Sequence, residues 1–334
     1  MRIAIVGGGW VGCHLAYKLK DSHEVKLFEK NEHIFRETSY NNQNRLHSGF
    51  HYARNYETRE LCRNTFDRFL SDYNFSVSDV DKNCYCVPKN KSIVDYETYL
   101  KIFEGFEYNK ININLDNIEG CINTKEKHIN FKKCADFFYK ELNDLIVNEK
   151  INRKKLTKLS EEYDLVIDAT NNSLGINNEK NIFFELTTCL VYEKINNTDF
   201  DSITMVDGDL FSIYPYFENT YTLTDVEYTP IKKFKSIKDL NRYKKKITET
   251  TMYDRKKLFE KKVLTYYPKF LNNFKYKGYF LSTKSKIESD SSSRYPVIIE
   301  NGNIISCFTG KIQGIYIIEE YVISKIKTIK NLQL

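Results

Sequence analysis

Between Arg2 and Glu29 the hydrophobic pattern changes period twice, and no other stretch limits the possible folds so tightly. Arg2-Ile3-Ala4-Ile5-Val6 is a short apolar run suited to a buried parallel strand, and it stops at Gly7-Gly8-Gly9. From Trp10 the apolar positions take helical spacing at Val11, Leu15 and Leu19, and Glu24 to Phe28 resumes a strand with Glu29 at its tip. A strand, a glycine turn, a helix and a second strand make a βαβ unit of the nucleotide-binding kind.

The residue types suit that task. Gly7 permits a sharp turn, Gly9 offers no side chain to hold a pyrophosphate off the backbone, and Gly12 lets the helix approach the strands. Around Trp10 and Val11 the unbonded N–H groups of the first helical turn point at the phosphates, where the helix dipole also favours negative charge. Glu29 lies seventeen residues beyond Gly12, where a carboxylate accepts hydrogen bonds from a ribose, with Lys30 beside it. Its charge argues against a 2′-phosphate and so against NADP.

A chain of 334 residues suggests about two domains. With 41% hydrophobic and 14% aromatic residues it has ample material for a packed core, which excludes wholesale disorder. Nowhere do about 18 apolar residues run together, and no signal-like segment precedes the first strand, so a cytoplasmic protein without a membrane span is expected. Eight cysteines form no zinc-like array and are expected to be reduced core residues; no metal is expected. The net charge of +6 is mild and spread out, and the basic stretch Lys232 to Lys262 is expected to form amphipathic helices with solvated faces, not a nucleic-acid surface.

After Lys30 comes a dense polar loop holding Arg36, Ser39 and Asn44-Arg45-Leu46-His47-Ser48-Gly49-Phe50-His51-Tyr52. Arg36 and Arg45 can neutralise a pyrophosphate. His47 and His51 titrate near physiological pH and share a side if the segment is extended, so they can flank a substrate, or either can simply bond the loop. The glycine-rich βαβ, the acidic strand end and the His-x-Gly-x-x-Tyr run together resemble the D-amino-acid oxidase-like flavoprotein superfamily, with its glycine oxidases, 2-hydroxyglutarate dehydrogenases and FAD-linked glycerol-3-phosphate dehydrogenases. The resemblance implies FAD as cofactor. It places Arg36 and Ser39 near the ribityl and phosphate groups and Arg45-Leu46-His47-Ser48-Gly49 nearest the flavin, with Asn44 also among the cofactor-binding residues.

Two later segments extend the resemblance. Tyr163 to Thr170 is an apolar strand ending Asp168-Ala169-Thr170, similar to the family's returning strand beside FAD, except that Asn171 stands where a glycine is usual. Asn tolerates a left-handed backbone, so the turn is expected to survive. Arg294-Tyr295-Pro296-Val297 and then Thr309-Gly310-Lys311-Ile312-Gln313-Gly314, opening a helix from Ile315 to Ile326, resemble the family's final approach to the flavin carbonyl. Gly310-Lys311 is most similar to the glycerol-phosphate branch.

The fold class expected is α/β: a Rossmann-like FAD-binding domain of the glutathione-reductase type, with an inserted α+β substrate domain carrying a mostly antiparallel sheet that roofs the flavin. Residues 1–80, 134–175 and 294–334 are assigned to the first domain, and 81–133 and 176–293 to the second. The reaction implied is oxidation of a CH–NH or CH–OH bond in a small polar or anionic molecule (an amino acid, hydroxy acid or sugar derivative), by hydride transfer to flavin N5. His47 or His51 would handle the proton, and Arg294, Lys311 and Tyr52 would fix an anionic group. A non-redox flavoenzyme on a nucleotide sugar, similar to UDP-galactopyranose mutase, and a non-catalytic dinucleotide-binding protein remain alternatives. Oligomeric state, electron acceptor and covalent attachment of the flavin stay open.

Overall fold

The computed structural model describes residues 1–175, 181–208, 211–288 and 293–332. Its contacts divide the chain into two units, one made of residues 1–40, 131–184 and 284–334, the other of 41–130 and 185–283. The first crossing therefore falls at 40/41, where the sequence suggested 80/81. The reason is local pairing: Arg45–Leu46 forms a ladder with Lys127–Ile129, and Phe50 and Ala53 pack against Tyr85, Tyr99 and Phe103.

The first unit is built on a six-stranded sheet. In spatial order its strands are Val297–Asn301, Ile304–Phe308, Leu165–Asp168, β1 (Arg2–Val6), β2 (Glu24–Glu29) and Ile146–Asn148. All are parallel except Val297–Asn301, which runs antiparallel to its neighbour. β1 and Leu165–Asp168 are buried along nearly their whole length, which explains their unbroken apolar sequence. Because β2 lies on one side of β1 and Leu165–Asp168 on the other, the chain reverses direction at β1. Such a switch opens a crevice at the carboxyl ends of the strands, which is where ligands of open α/β sheets bind.

Helix α1 (Trp10–Leu19) follows β1 and buries Cys13, Leu15, Ala16 and Leu19. The helix expected from Ile315 to Ile326 runs on to Leu332, with Ile318, Val322 and Ile326 buried along one stripe. Sequence patterning did not signal the strands Ile146–Asn148 and Val297–Asn301 or the helix Arg153–Glu162. The first of these strands has three residues, too few to display a period of two.

The second unit holds most of a nine-stranded sheet, in the order Pro230–Phe234, Ile182–Lys194, Thr220–Asp225, Phe211–Pro215, Ser202–Met205, Asn83–Pro88, Ile118–Thr124 and Tyr108–Ile111, with Phe274–Ile287 paired to Ile182–Lys194. Ser202–Met205 lies parallel to Asn83–Pro88, and the other registers described in this sheet are antiparallel. Leu210, expected to start the strand that runs to Tyr216, lies outside the described residues. A small sheet joins Arg45–Leu46, Lys127–Ile129 and Val77–Asp79.

Helix α2 (Tyr56–Tyr73) buries Leu61, Thr65 and Phe69 along one stripe, and the Asn55 side chain caps its start by accepting from the Thr58 N–H at 2.9 Å. The basic stretch gives two helices, Ile237–Lys244 and Glu249–Leu264. All eight cysteines are buried. Among the described residues no helix is long and apolar enough to cross a membrane.

Candidate functional site

The glycine turn of the first unit carries the geometry that its sequence implies. Gly7 sits at φ +108°, and a Cβ there would lie 2.8 Å from the Ala169 carbonyl oxygen. A Cβ on Gly12 would fall 1.9 Å from the Gly7 carbonyl oxygen, so helix and turn close on each other only because the hydrogen is there. The first helical bond runs from the Cys13 N–H to the Gly9 carbonyl at 2.9 Å, which leaves the Val11 and Gly12 N–H groups ahead of it without a backbone acceptor. That is a ready anion site, and it fits a pyrophosphate.

Neighbouring residues shape this cradle in ways the sequence did not disclose. The Trp10 N–H donates to Ser39 Oγ at 3.0 Å, and a Cβ on Gly9 would meet that same oxygen at 2.9 Å. Gly9 thus makes room for Ser39 at the helix start. The Trp10 indole faces inward, edge-on to Phe35 and Phe138. Glu29 is buried; its Oε2 accepts from the Gly8 N–H at 2.7 Å, and its Oε1 accepts from the Asn31 N–H and Nδ2 at 2.8 Å. These bonds fix the carboxylate at the strand tip, and Oε2, with one bond made, retains accepting capacity for a ribose hydroxyl. Lys30 pairs with Glu37 at 2.6 Å, and Arg36 is exposed.

At the end of Leu165–Asp168 the chain makes a tight turn. The N–H and hydroxyl of Thr170 both donate to Asp168 Oδ1, at 3.0 and 2.6 Å, while the Ala169 N–H bonds the Val6 carbonyl. Burial raises the Asp168 pKa, and the bonds it accepts from the Thr170 hydroxyl and N–H oppose that rise. Asn171 and Asn172 both lie at positive φ, +55° and +57°, so the turn survives without its glycine. Farther along the chain, Gly310 packs beneath Arg294, whose Cδ would lie 2.9 Å from a Cβ there. Arg294 and Lys311 therefore flank one glycine, both half-buried. Thr309 ties the turn by donating to the Lys311 carbonyl at 2.8 Å, and Gln313 is buried behind Ile312 at the base of the final helix.

The second unit gathers the other candidates around a residue that sequence reasoning missed. Glu126 is 0% exposed. Its Oε1 accepts from the backbone N–H groups of Ser48 and Gly49 at 2.8 and 3.3 Å, its Oε2 accepts from the Tyr85 hydroxyl at 2.5 Å, and His47 Nδ1 lies 3.3 Å from Oε2. Burial alone would push the Glu126 pKa up. His47, followed by Arg45 and Tyr85, more than reverses this and holds it at about 2. Glu126 sits in Lys125-Glu126-Lys127, which reads as a solvated hairpin tip, so nothing local signalled it.

Arg45, read from sequence as a pyrophosphate neutraliser, is buried in this unit with its guanidinium on Ser212 Oγ at 3.0 Å and Thr204 Oγ1 at 2.7 Å. It also lies 4.0 Å from the Tyr214 ring centroid. Burial disfavours its charge, but Tyr85, Tyr214 and Glu126 raise its pKa overall. Leu46 is core, and Asn44 is buried at φ +51°. His47 and His51 do come together, with ring centroids 5.7 Å apart, and Tyr52 stands 5.8 and 5.1 Å from them. The backbone is not extended here, however: it turns at Gly49, φ +120°, and the Tyr52 N–H bonds the Gly49 carbonyl at 2.9 Å. A turn, not an alternating strand, puts the two imidazoles side by side.

A family model described as FAD dependent oxidoreductase matches residues 2–84. The FAD-dependent monooxygenase FPY4 of Fusarium mangiferae is 32% identical over 337 residues, which cover 97% of this chain and 90% of that relative. The chain belongs to the FAD-dependent oxidoreductase family. A second FAD-dependent monooxygenase, kojA of Aspergillus flavus, is 27% identical over 369 residues, covering 98% of this chain and 86% of its own length. Among solved structures, glycine oxidase from Geobacillus kaustophilus matches 98% of this chain and 95% of its own with a TM-score of 0.67 at 12% identity. The FAD-bound L-alpha-glycerophosphate oxidase of Mycoplasma pneumoniae matches 96% and 92% with a TM-score of 0.65 at 13% identity. At those identities the two structures speak for the fold alone.

As a member of this family the chain is an FAD-dependent oxidoreductase, which replaces the readings as a non-redox mutase or a non-catalytic nucleotide binder. FAD is the cofactor, and the glycine turn, the excluded Cβ positions and buried Glu29 fit its dinucleotide.

Proposed function

We propose that this oxidoreductase removes two electrons from a CH–NH or CH–OH bond of a small polar substrate, with anionic amino acids and hydroxy acids as the favoured classes. The observation that carries the reading is the pair of adjacent imidazoles, His47 and His51, with Tyr52 beside them. Breaking such a C–H bond with loss of hydride requires that the N–H or O–H proton go to a base, and imidazole is suited to that at neutral pH. Bound FAD supplies the two-electron acceptor.

In the first unit, Val11 and Gly12 N–H groups hold the pyrophosphate, Glu29 holds the ribose, and Ala169 and Thr170 close the turn behind Gly7. Arg36 and Lys30, at the surface of this unit, screen the phosphate charge. Arg294 and Lys311, on either side of Gly310, offer two cations to an anionic group, and Gln313 and Ile312 support that turn. In the second unit, His47 or His51 takes the proton, Tyr52 donates a hydrogen bond to the substrate, and Arg45 serves the buried cluster through Ser212 and Thr204.

The test is anaerobic mixing of the yellow holoenzyme with panels of amino acids, hydroxy acids and sugar derivatives, followed by the visible flavin band. A substrate bleaches the band, and His47→Gln slows the bleaching by about 10²-fold or more. If no panel member bleaches it, the reading fails.

The names of the two fungal relatives favour a second reading, a monooxygenase reaction. One atom of dioxygen would then enter the product, the other would leave as water, and a nicotinamide-type reductant would supply two electrons. Turnover under ¹⁸O₂ separates the two: label in the product supports monooxygenation, whereas unlabelled product with one peroxide released per turnover supports oxidation.

A further inference from the structure

We infer that Glu126 is the positioning residue of His47, holding the imidazole with its Nδ1 proton toward the carboxylate and so leaving Nε2 as the atom that exchanges protons. This rests on the reading of His47 as a proton-handling residue. Glu126 is separated from the His47 loop by 78 positions at Ser48, and it meets that loop at His47 Nδ1 and at the Ser48 and Gly49 N–H groups.

The carboxylate is anchored before it meets the imidazole. Two backbone N–H groups, Ser48 and Gly49, grip Oε1, and these are the residues that directly follow His47 in the chain. Oε2 is gripped by the Tyr85 hydroxyl and faces His47 Nδ1. A carboxylate held by three donors cannot rotate away, so the imidazole must orient to it. Across the 3.3 Å between them, an acceptor-only carboxylate favours the tautomer with the hydrogen on Nδ1. Other groups in the surroundings are Arg45, Tyr85, Tyr99, Tyr214 and Cys62, whose charged forms interact with Glu126, and the rings of His51 and Tyr52, which face His47. His47, followed by Arg45 and Tyr85, keeps Glu126 ionised, and Glu126 is the anion that favours the imidazolium.

The inference is tested on the full-length holoenzyme with ¹⁵N-labelled histidine, following His47 by its nitrogen shifts against pH, with His47→Gln used only to assign the signal. In the wild type, neutral His47 carries its proton on Nδ1. Glu126→Gln removes the anion, so His47 is expected to lose proton affinity by about tenfold or more, one unit or more of its midpoint, with the proton redistributed toward Nε2. Glu126→Asp keeps the charge and is expected to retain most of the wild-type midpoint.

Tyr85→Phe removes the donor that competes for Oε2 and is expected to move the midpoint in the opposite direction, upward. That variant keeps the core volume, so it decides the matter should Glu126→Gln fail to fold. A His47 midpoint and tautomer unchanged in folded Glu126→Gln, or unchanged in Tyr85→Phe if the first variant does not fold, overturns the inference. No turnover is needed for this readout. An enzyme that bleaches with no substrate defeats the proposed reaction and leaves the Glu126 result standing, whereas an active enzyme with an unaltered His47 defeats the Glu126 inference alone.

Discussion

Gly12 shows how much a single hydrogen atom can decide. With the position of its absent Cβ only 1.9 Å from the Gly7 carbonyl oxygen, Gly12→Ala must push helix and turn apart. Overpacking of this kind costs about 1–3 kcal/mol, and here it also widens the phosphate cradle. We expect Gly12→Ala to purify with a reduced flavin-to-protein absorbance ratio and a lowered unfolding midpoint. His128 makes a different prediction. Burial lowers its pKa from 6.5 to about 4, so between those values the unfolded chain holds a proton that the folded chain refuses. Its contribution to stability is therefore complete above pH 6.5 and lost as pH falls toward 4, at about 1.4 kcal/mol per unit and roughly 3 kcal/mol in all. Urea midpoints measured across that window should fall less steeply in His128→Gln than in the wild type. Glu126 acts at lower pH: its folded pKa of about 2 lies below the ordinary 4.5, so its contribution is present above 4.5 and disappears as pH drops through 2.

At the scale of the element, the turn after Leu165–Asp168 is the informative case. A glycine was expected there by resemblance, and Asn171 takes the left-handed conformation in its place, φ +55°. Asn171→Gly should therefore leave stability unchanged or slightly improved, while Asn171→Val should cost about 1–2 kcal/mol, read from denaturant midpoints. Elements with a long period were legible: α1, α2 and the final helix each show one apolar stripe and appear where that stripe does. Elements without one were not. Ile146–Asn148 is too short to alternate, and the helix Tyr96–Ile102 is only seven residues long, ending three residues before Gly105 at φ +81°. The His47–Tyr52 segment was legible in its outcome but not in its geometry, since the imidazoles meet through a turn at Gly49 and not along a strand.

At the scale of the whole molecule, cofactor and stability are linked. A ligand that binds only the folded chain stabilises it by RT ln(1 + [L]/Kd), about 2.7 kcal/mol at a hundredfold excess over Kd. Removing FAD should lower the unfolding midpoint, and adding it back should restore the midpoint in a concentration-dependent way, with a smaller response in Gly12→Ala. An unfolding curve indifferent to FAD would contradict the cradle described here.

What the sequence determined by itself was the local chemistry: the strand, glycine turn, helix and acidic strand end between Arg2 and Glu29, whose spacing points to a dinucleotide cradle and which, with the loop that follows, resemble the flavoprotein family. Those features depend on neighbours a few residues apart, so they are written in order along the chain. Only the tertiary structure decided where Arg45 goes and that Glu126 meets His47. Arg45 carries the same charge beside a phosphate or between buried tyrosines, and Glu126 between two lysines has the pattern of a surface turn. Burial, which strips water from a charge and obliges it to find partners from distant strands, is set by the packed chain and leaves no periodic trace in the sequence.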